Sequence, residues 1–298
     1  MSDVDRPFVA TPAGPPAVTG PLAAAAAEHW GLAEPVLLRT GMNAVYVSGD
    51  VLLRVAATSA PAEASLALAR LLDQAGVAVP LPRRDDVVSD GDRSVTAWQR
   101  IEAIDAPVDW RAVGTMVRRV HGLPDDTFPP DYPRPPASAF PWWDFDTLLA
   151  EVGGDLDPAA RSGIEDAIVA HGWWRDAPDR PVTCHGDVHP GNVVVTAEGP
   201  MLLDWDLLCR APRGWDHSML LRAGRWEYCE AWYEDFAAGY RWHGGDDPLT
   251  TAIAELRLVA ATLMRARAAR IDPAARPELE RRLAYWRGDA DAPRWRPV

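Results

Sequence analysis

The chain has 298 residues, of which 48% are hydrophobic and 24% charged, and it carries a net charge of −13. This is the composition of an ordinary globular protein, and it excludes a wholly disordered or fibrous chain. The acidic balance argues against a nucleic-acid partner, because a phosphate backbone needs a basic footprint.

No apolar run is long enough to span a bilayer, and the N-terminus lacks a basic region followed by an apolar core. A cytoplasmic protein without a membrane partner is therefore expected. The three cysteines, Cys184, Cys209 and Cys229, are odd in number and show no CxxC spacing, which points to neither a disulfide framework nor a zinc site. The sequence contains no lysine, so all 30 basic residues are arginine. Schiff-base chemistry and a nucleotide-binding lysine are both excluded.

Residues 1–20 are rich in Pro, Gly and Ala and read as a flexible tail, followed by a short helix-forming stretch at Ala23–Ala27. Two strand patterns, Asn43–Ser48 and Val51–Val55, flank Gly49–Asp50, a two-residue hairpin turn. Pro61–Ala75 changes to helical spacing through Leu66, Ala69 and Leu72, and Gly76 ends it. Val77–Pro82 and Ser94–Ile101 read as further strands. Beyond residue 104 the pattern is mainly helical, in Trp110–His121, Pro158–Ala170, Trp226–Tyr240 and Leu249–Arg270. The exception is Pro181–Asp204, which reads as strand, polar loop and hairpin. The expected architecture is α+β and bilobal, with a small β-rich lobe over residues 21–103, a larger helical lobe over 104–298 and a cleft between them.

The chemistry is concentrated in Cys184-His185-Gly186-Asp187-Val188-His189-Pro190-Gly191-Asn192, which leads into Val193–Val195, and in Met201-Leu202-Leu203-Asp204-Trp205-Asp206. Ala197-Glu198-Gly199-Pro200 supplies a turn between the two runs. An antiparallel hairpin of this length puts Asn192 and Asp204 at its open end, near the loop that holds Asp187. Three oxygen donors then converge. Hard oxygen ligands of this kind suit Mg²⁺, which keeps several waters and leans on substrate phosphates. Phosphoryl transfer needs such a set: groups to hold the metal, and a carboxylate to orient the attacking hydroxyl and accept its proton. A two-metal phosphoesterase, suggested by the pair Asp187 and His189, fails on ligand count, since only His217 and His243 follow.

The spacing H-x-D-x₄-N is that of the protein-kinase catalytic loop. The run HGDVHPGN…LLDWD resembles the aminoglycoside phosphotransferase family, which also includes choline, homoserine and aminosugar kinases. The resemblance is specific over residues 183–217 and extends in weaker, order-preserving form over 21–290. It implies a kinase-like bilobal fold with Asp187 as the catalytic base, Asn192 and Asp204 on Mg²⁺, and His185 and His189 bracing the loop. Asp216 matches an acidic position of the family that is structural.

On the nucleotide side, Thr40–Tyr46 looks like the family's nucleotide-covering loop, with Gly41 and Asn43 in it. Family members carry a lysine on the following strand, paired to a glutamate on the next helix. This chain departs from that pattern by offering Arg54, with Glu63 on the helix. Arginine binds phosphate and carboxylate in two-pronged fashion, but its planar head is not equivalent to an ammonium. Trp98–Ile101 corresponds to the inter-lobe hinge, where the backbone of Gln99 and Ile101 would meet the purine of ATP or GTP.

For the acceptor, aromatic faces beside carboxylates suit a small hydroxyl-bearing molecule with amino groups. The tryptophans of the helical half, the stripe Glu227, Glu230, Glu234 and the better-placed Asp206 are the candidates. Two other readings remain open at this point: a non-catalytic nucleotide-binding regulator, suggested by the missing lysine, and nucleotidyl instead of phosphoryl transfer.

Overall fold

The computed structural model describes residues 12–57, 61–177, 180–229 and 231–297. The chain opens with helix α1 (Pro16–His29), so residues 16–20, expected in a flexible tail, are helical. Pro16 sits at the helix start, where its missing N–H costs nothing. Strands β1 (Val36–Arg39), β2 (Ala44–Ser48) and β3 (Val51–Ala57) follow, then helix α2 (Ala62–Gln74), and β4 (Val88–Ser89) and β5 (Arg93–Gln99). All pairings in this sheet are antiparallel, in the order β1-β2-β3-β5-β4.

Alternation along the strands assigns the two faces of the sheet. Tyr46, Leu53, Val55, Val95 and Ala97 pack with Leu22, Ala23 and Ala26 of α1. The intervening Val45, Leu52, Arg54 and Trp98 line a cavity on the opposite face. The 77–82 segment, expected as a strand, makes only an isolated bridge between Pro82 and Trp98. Pro80 and Pro82 have no N–H to give a ladder, so the segment stays extended and contributes Val77 and Val79 to the core instead.

The remainder is built on α3 (Trp110–His121), α4 (Phe145–Val152), α5 (Pro158–His171), β6 (Val182–Cys184), the hairpin β7 (Val193–Thr196) and β8 (Gly199–Leu202), β9 (Cys209–Ala211), α6 (Ser218–Leu221), α7 (Ala231–Tyr240), α8 (Pro248–Ile271) and α9 (Arg276–Trp286). The 226–240 segment, expected to be helical throughout, becomes an α-helix only at Ala231. Trp226 forms a bridge with Trp295, and the Glu227 N–H donates to the Trp295 carbonyl at 2.8 Å. Those backbone groups are spent on the C-terminal segment and are not available for a helix. Helix α8, buried on most of its surface, is the axis against which α4, α5, α6 and α9 pack. Among the described residues no helix is long and apolar enough to cross a membrane.

One of the three apolar clusters among the described residues spans both halves. Leu68, Ala69 and Leu72 of α2 belong to the same apolar cluster as Val113 and Val117 of α3 and Leu202 of β8. Helices α3 and α7 approach closely because each presents a glycine. A Cβ at Gly114 would lie 2.0 Å from the Phe236 carbonyl oxygen, and one at Gly239 would lie 1.9 Å from that of Arg111. Helix propensity alone favours Ala over Gly by about 1 kcal/mol. Packing reverses the sign here: Gly114→Ala should destabilise the protein by about 1–3 kcal/mol, the usual cost of overpacking a core. Chemical denaturation checks this, and a stabilised variant would contradict the close approach.

Candidate active site

The loop from β6 to β7 and the end of β8 bring the sequence candidates together. The Leu203 N–H donates to the Asn192 carbonyl at 2.9 Å, which closes the hairpin and sets Asn192 beside Asp204. The Asn192 Nδ2 donates to the Asp187 carbonyl at 2.9 Å and to Asp187 Oδ2 at 3.1 Å. Its Oδ1 is thereby turned to other uses. Asp204 has φ 59° and ψ 70°, a left-handed conformation that Asp tolerates better than most residues but that still stores strain. Partial desolvation and the neighbouring Asp206 carboxylate raise its pKa.

His185 ties the loop to the hairpin. Its Nδ1 lies 3.2 Å from the Asp187 N–H, and its Nε2 lies 2.9 Å from the Leu203 carbonyl. One neutral tautomer, protonated on Nε2, satisfies both contacts. His189 accepts from the Gly191 N–H through Nδ1 at 3.1 Å and places Nε2 3.3 Å from Asp187 Oδ2.

Two features lie beneath the loop: Arg257, which the motif does not announce, and Asp216, the acidic position expected to be structural. Arg257 of α8, 9% exposed, donates to the Gly186 carbonyl at 2.6 Å and stands 3.6 Å from Asp187 Oδ1. Its guanidinium lies over the Trp215 ring at 4.8 Å. Burial pushes the Asp187 carboxyl up, but His189, Arg257 and His185 outweigh it and hold the pKa at about 2. Asp187 is therefore a carboxylate at neutral pH. The sequence signal for Arg257 is that it is one of two charges, with Glu255, inside the otherwise apolar run Ala252–Ala260, where an arginine is buried only if it is partnered. The second feature is Asp216, which accepts from the His185 N–H and the Gly186 N–H at 2.8 Å each and faces His121 Nε2 at 2.9 Å. Gly186 is required at its position: its φ is +95°, and a Cβ would lie 1.9 Å from the Leu207 carbonyl oxygen.

Asn192, Asp204 and Asp206 form part of the wall of a cavity of about 430 Å³ between the sheet and the loop. Asn43, Arg54, Gln99 and Ile101 line the same cavity. Gly41 and Glu63 are exposed and outside that lining. Arg54 does not pair with Glu63. It forms an ion pair with Asp206, which also accepts from Asn43 Nδ2 at 3.0 Å. Asp206 is thus committed to the cavity, away from the acceptor role expected for it. The acidic stripe also dissolves. Glu227 lies before α7 and pairs with Arg296 at 3.1 Å, Glu234 contacts His243 at 3.2 Å, and Glu230 lies outside the described residues.

The oxygen donors Asn192 and Asp204, with no sulfur or imidazole between them, fit a hard cation such as Mg²⁺.

Burial raises the Asp216 pKa, and the His121 hydrogen bond with the nearby charges and N–H donors more than reverses this, so the folded value lies below the unfolded one. Such a group contributes stability that is complete above its unfolded pKa, about 4, and is lost as pH falls through the folded value. Asp216→Asn should cost about 3–5 kcal/mol at pH 7, because it disrupts a buried charged network. The gap to the unsubstituted protein should narrow as pH drops below about 4. Denaturant titrations from pH 3 to 7 measure it, and a gap that widens on acidification would contradict the assignment.

Comparison with known proteins extends this picture. No curated protein matches the sequence. Among solved structures, the chain is similar to an AMP-bound spectinomycin phosphotransferase, with 15% identity, 87% of this chain and 94% of that one covered, and a TM-score of 0.63. It is similar to a macrolide 2′-phosphotransferase of Brachybacterium faecium, with 21% identity, coverage of 87% and 97%, and a TM-score of 0.57. A choline/ethanolamine kinase family protein of Mesorhizobium loti is comparable, with 20% identity, coverage of 85% and 87%, and a TM-score of 0.60. The kinase-like bilobal α+β fold is common to all of them. Residues 43–256, well over half of the chain and including the loop and most of the cavity lining, match the phosphotransferase enzyme family, and the chain belongs to that family.

Proposed function

We propose that this enzyme transfers the γ-phosphate of ATP or GTP to a hydroxyl of a small, cationic, amino-bearing molecule, with Mg²⁺ as cofactor. The observation that carries the proposal is the convergence of Asp187, Asn192 and Asp204 at the edge of an inter-lobe cavity, in the order and spacing phosphoryl transfer requires.

In this reading the nucleotide lies in the cavity against Val45, Leu52 and Leu203, with the backbone of the 99–101 hinge at its base. The lobe boundary falls at residues 103 and 104. Asn192 Oδ1 and the Asp204 carboxylate would hold Mg²⁺; once bound, the ion neutralises the phosphate oxygens on which charge develops. Asp187, already ionised, orients the acceptor hydroxyl and takes its proton. His189 holds the Asp187 carboxylate in place from one side and Arg257 from the other.

The cationic acceptor is favoured by the net charge of −13, which concentrates cations near the protein. It is favoured also by a row of aromatic rings, Trp226, Tyr228 and Trp232, with adjacent centroids 6.0 and 5.6 Å apart. Tyr228 is within electrostatic reach of Asp187. Trp226 and Tyr228 are buried, so of the three rings Trp232 is the one partly open to an ammonium group or a sugar ring.

A screen of amino-hydroxyl compounds for acceptor-dependent release of nucleoside diphosphate tests the proposal. Asp187→Asn should lower turnover by about two to four powers of ten and leave nucleotide affinity nearly unchanged. Asp204→Ala should instead abolish Mg²⁺-dependent nucleotide binding measured by calorimetry. Full activity of Asp187→Asn, or unchanged Mg²⁺-nucleotide affinity in Asp204→Ala, would remove that residue from its role.

A further inference from the structure

We infer that Asp206 is the positioning carboxylate for Arg54, and that nucleotide phosphates bind by taking Arg54 from Asp206. The inference rests on the proposed nucleotide site.

The charges on the cavity wall lead to it. With no lysine in the sequence, the cations lining the cavity among the described residues are Arg39, which is exposed, and Arg54, whose side chain is 23% exposed. Arg54 projects from the cavity face of β3, opposite Val45 and Thr96 in the register. Its partner comes from the other side of the cavity: Asp206, 9% exposed, receives both Arg54 and Asn43 on the single oxygen Oδ2. Glu63, the carboxylate that would do this work from α2, is exposed and outside the lining.

The geometry has two consequences. First, one carboxylate oxygen joins the strand side of the cavity, through Asn43 and Arg54, to the loop side that carries Asp204. The pair therefore fixes the guanidinium and also bridges the two walls. Second, Asp204 and Asp206 together place two carboxylates where phosphates would enter, against one fixed guanidinium. A nucleotide without a metal ion meets net repulsion and an occupied cation. Neutralising the carboxylates releases Arg54 to the phosphates, so nucleotide and metal should bind interdependently.

The experiment is an ADP titration by calorimetry, with and without Mg²⁺, on the unsubstituted protein, Asp206→Asn, Arg54→Ala and the double variant. Thermal unfolding confirms that each is folded. Removing the Asp206 charge frees Arg54, so Asp206→Asn should bind Mg²⁺-free ADP about ten- to a hundredfold more tightly, the worth of a charge-assisted hydrogen bond. Its kcat should fall, because Arg54 is no longer held in position, and Asp206→Glu should recover part of that loss. A purely structural role would lower ADP affinity and kcat together. The gain in ADP affinity should vanish in the Arg54→Ala background, and Glu63→Gln should leave every reading unchanged.

A gain that persists without Arg54 would mean simple relief of repulsion, and it would overturn the pairing. Loss of Mg²⁺-free ADP affinity in Asp206→Asn, or an Arg54→Ala variant that is silent because Arg39 holds the phosphates, would overturn it too. Absence of ADP binding in all four proteins, with or without Mg²⁺, would overturn the nucleotide site itself.

Discussion

The Asp216 carboxylate, buried and charged, receives two consecutive backbone N–H groups of the loop between β6 and β7 and the imidazole of His121 from α3. Everything that converges on the site depends on this contact. It holds His185 and Gly186, which together set the direction of Asp187. The Gly186 carbonyl in turn accepts from Trp215 Nε1 at 3.1 Å and from Arg257, so the residue before Asp187 is held at both its N–H and its C=O. A loop with its backbone polar groups so fully used has little freedom to move. This is the preorganisation that positioning catalysis requires. An uncompensated carboxylate at this depth would be costly, and three donors directed at it offset that cost.

Much of the fold was legible in the sequence, and the reason is locality. The hairpin of β2 and β3 followed from alternation around Gly49–Asp50, and α3 and α8 from apolar spacing at three and four residues. Asp187, Asn192 and Asp204 were legible for the same reason: one loop and one short hairpin bring them together. What the sequence concealed lies between residues far apart in the chain. The partner of Arg54 sits 152 residues away on the loop side, whereas spacing pointed to Glu63 on the next helix. The 226–229 segment has the composition of a helix, but pairing with Trp295 takes its backbone groups. Arg257 stood in plain view within a helical run, yet periodicity does not state which charge a buried arginine faces.

The absence of lysine shapes the molecule well beyond the cavity. Arg282 lies between Trp226 and Trp295, its guanidinium 5.0 and 5.3 Å from their ring centroids, and donates to Glu278 at 3.0 Å. Arg257 repeats the arrangement on Trp215 beneath the loop between β6 and β7. A planar, weakly hydrated guanidinium can stack on a ring and donate in its own plane at once, which a compact ammonium cannot. In this way the C-terminal segment is pinned against Trp226, at the start of the row it forms with Tyr228 and Trp232. The same chemistry then serves the core, the loop and the cavity.

If this cleft moves a phosphoryl group, the mass of the acceptor product will show it. Incubation with nucleoside triphosphate, Mg²⁺ and an amino-hydroxyl acceptor should give a product heavier by one phosphoryl group, with nucleoside diphosphate as the spent donor. A product carrying the nucleoside monophosphate, with pyrophosphate released, would contradict the assignment of Asp187 and the carboxylates around it.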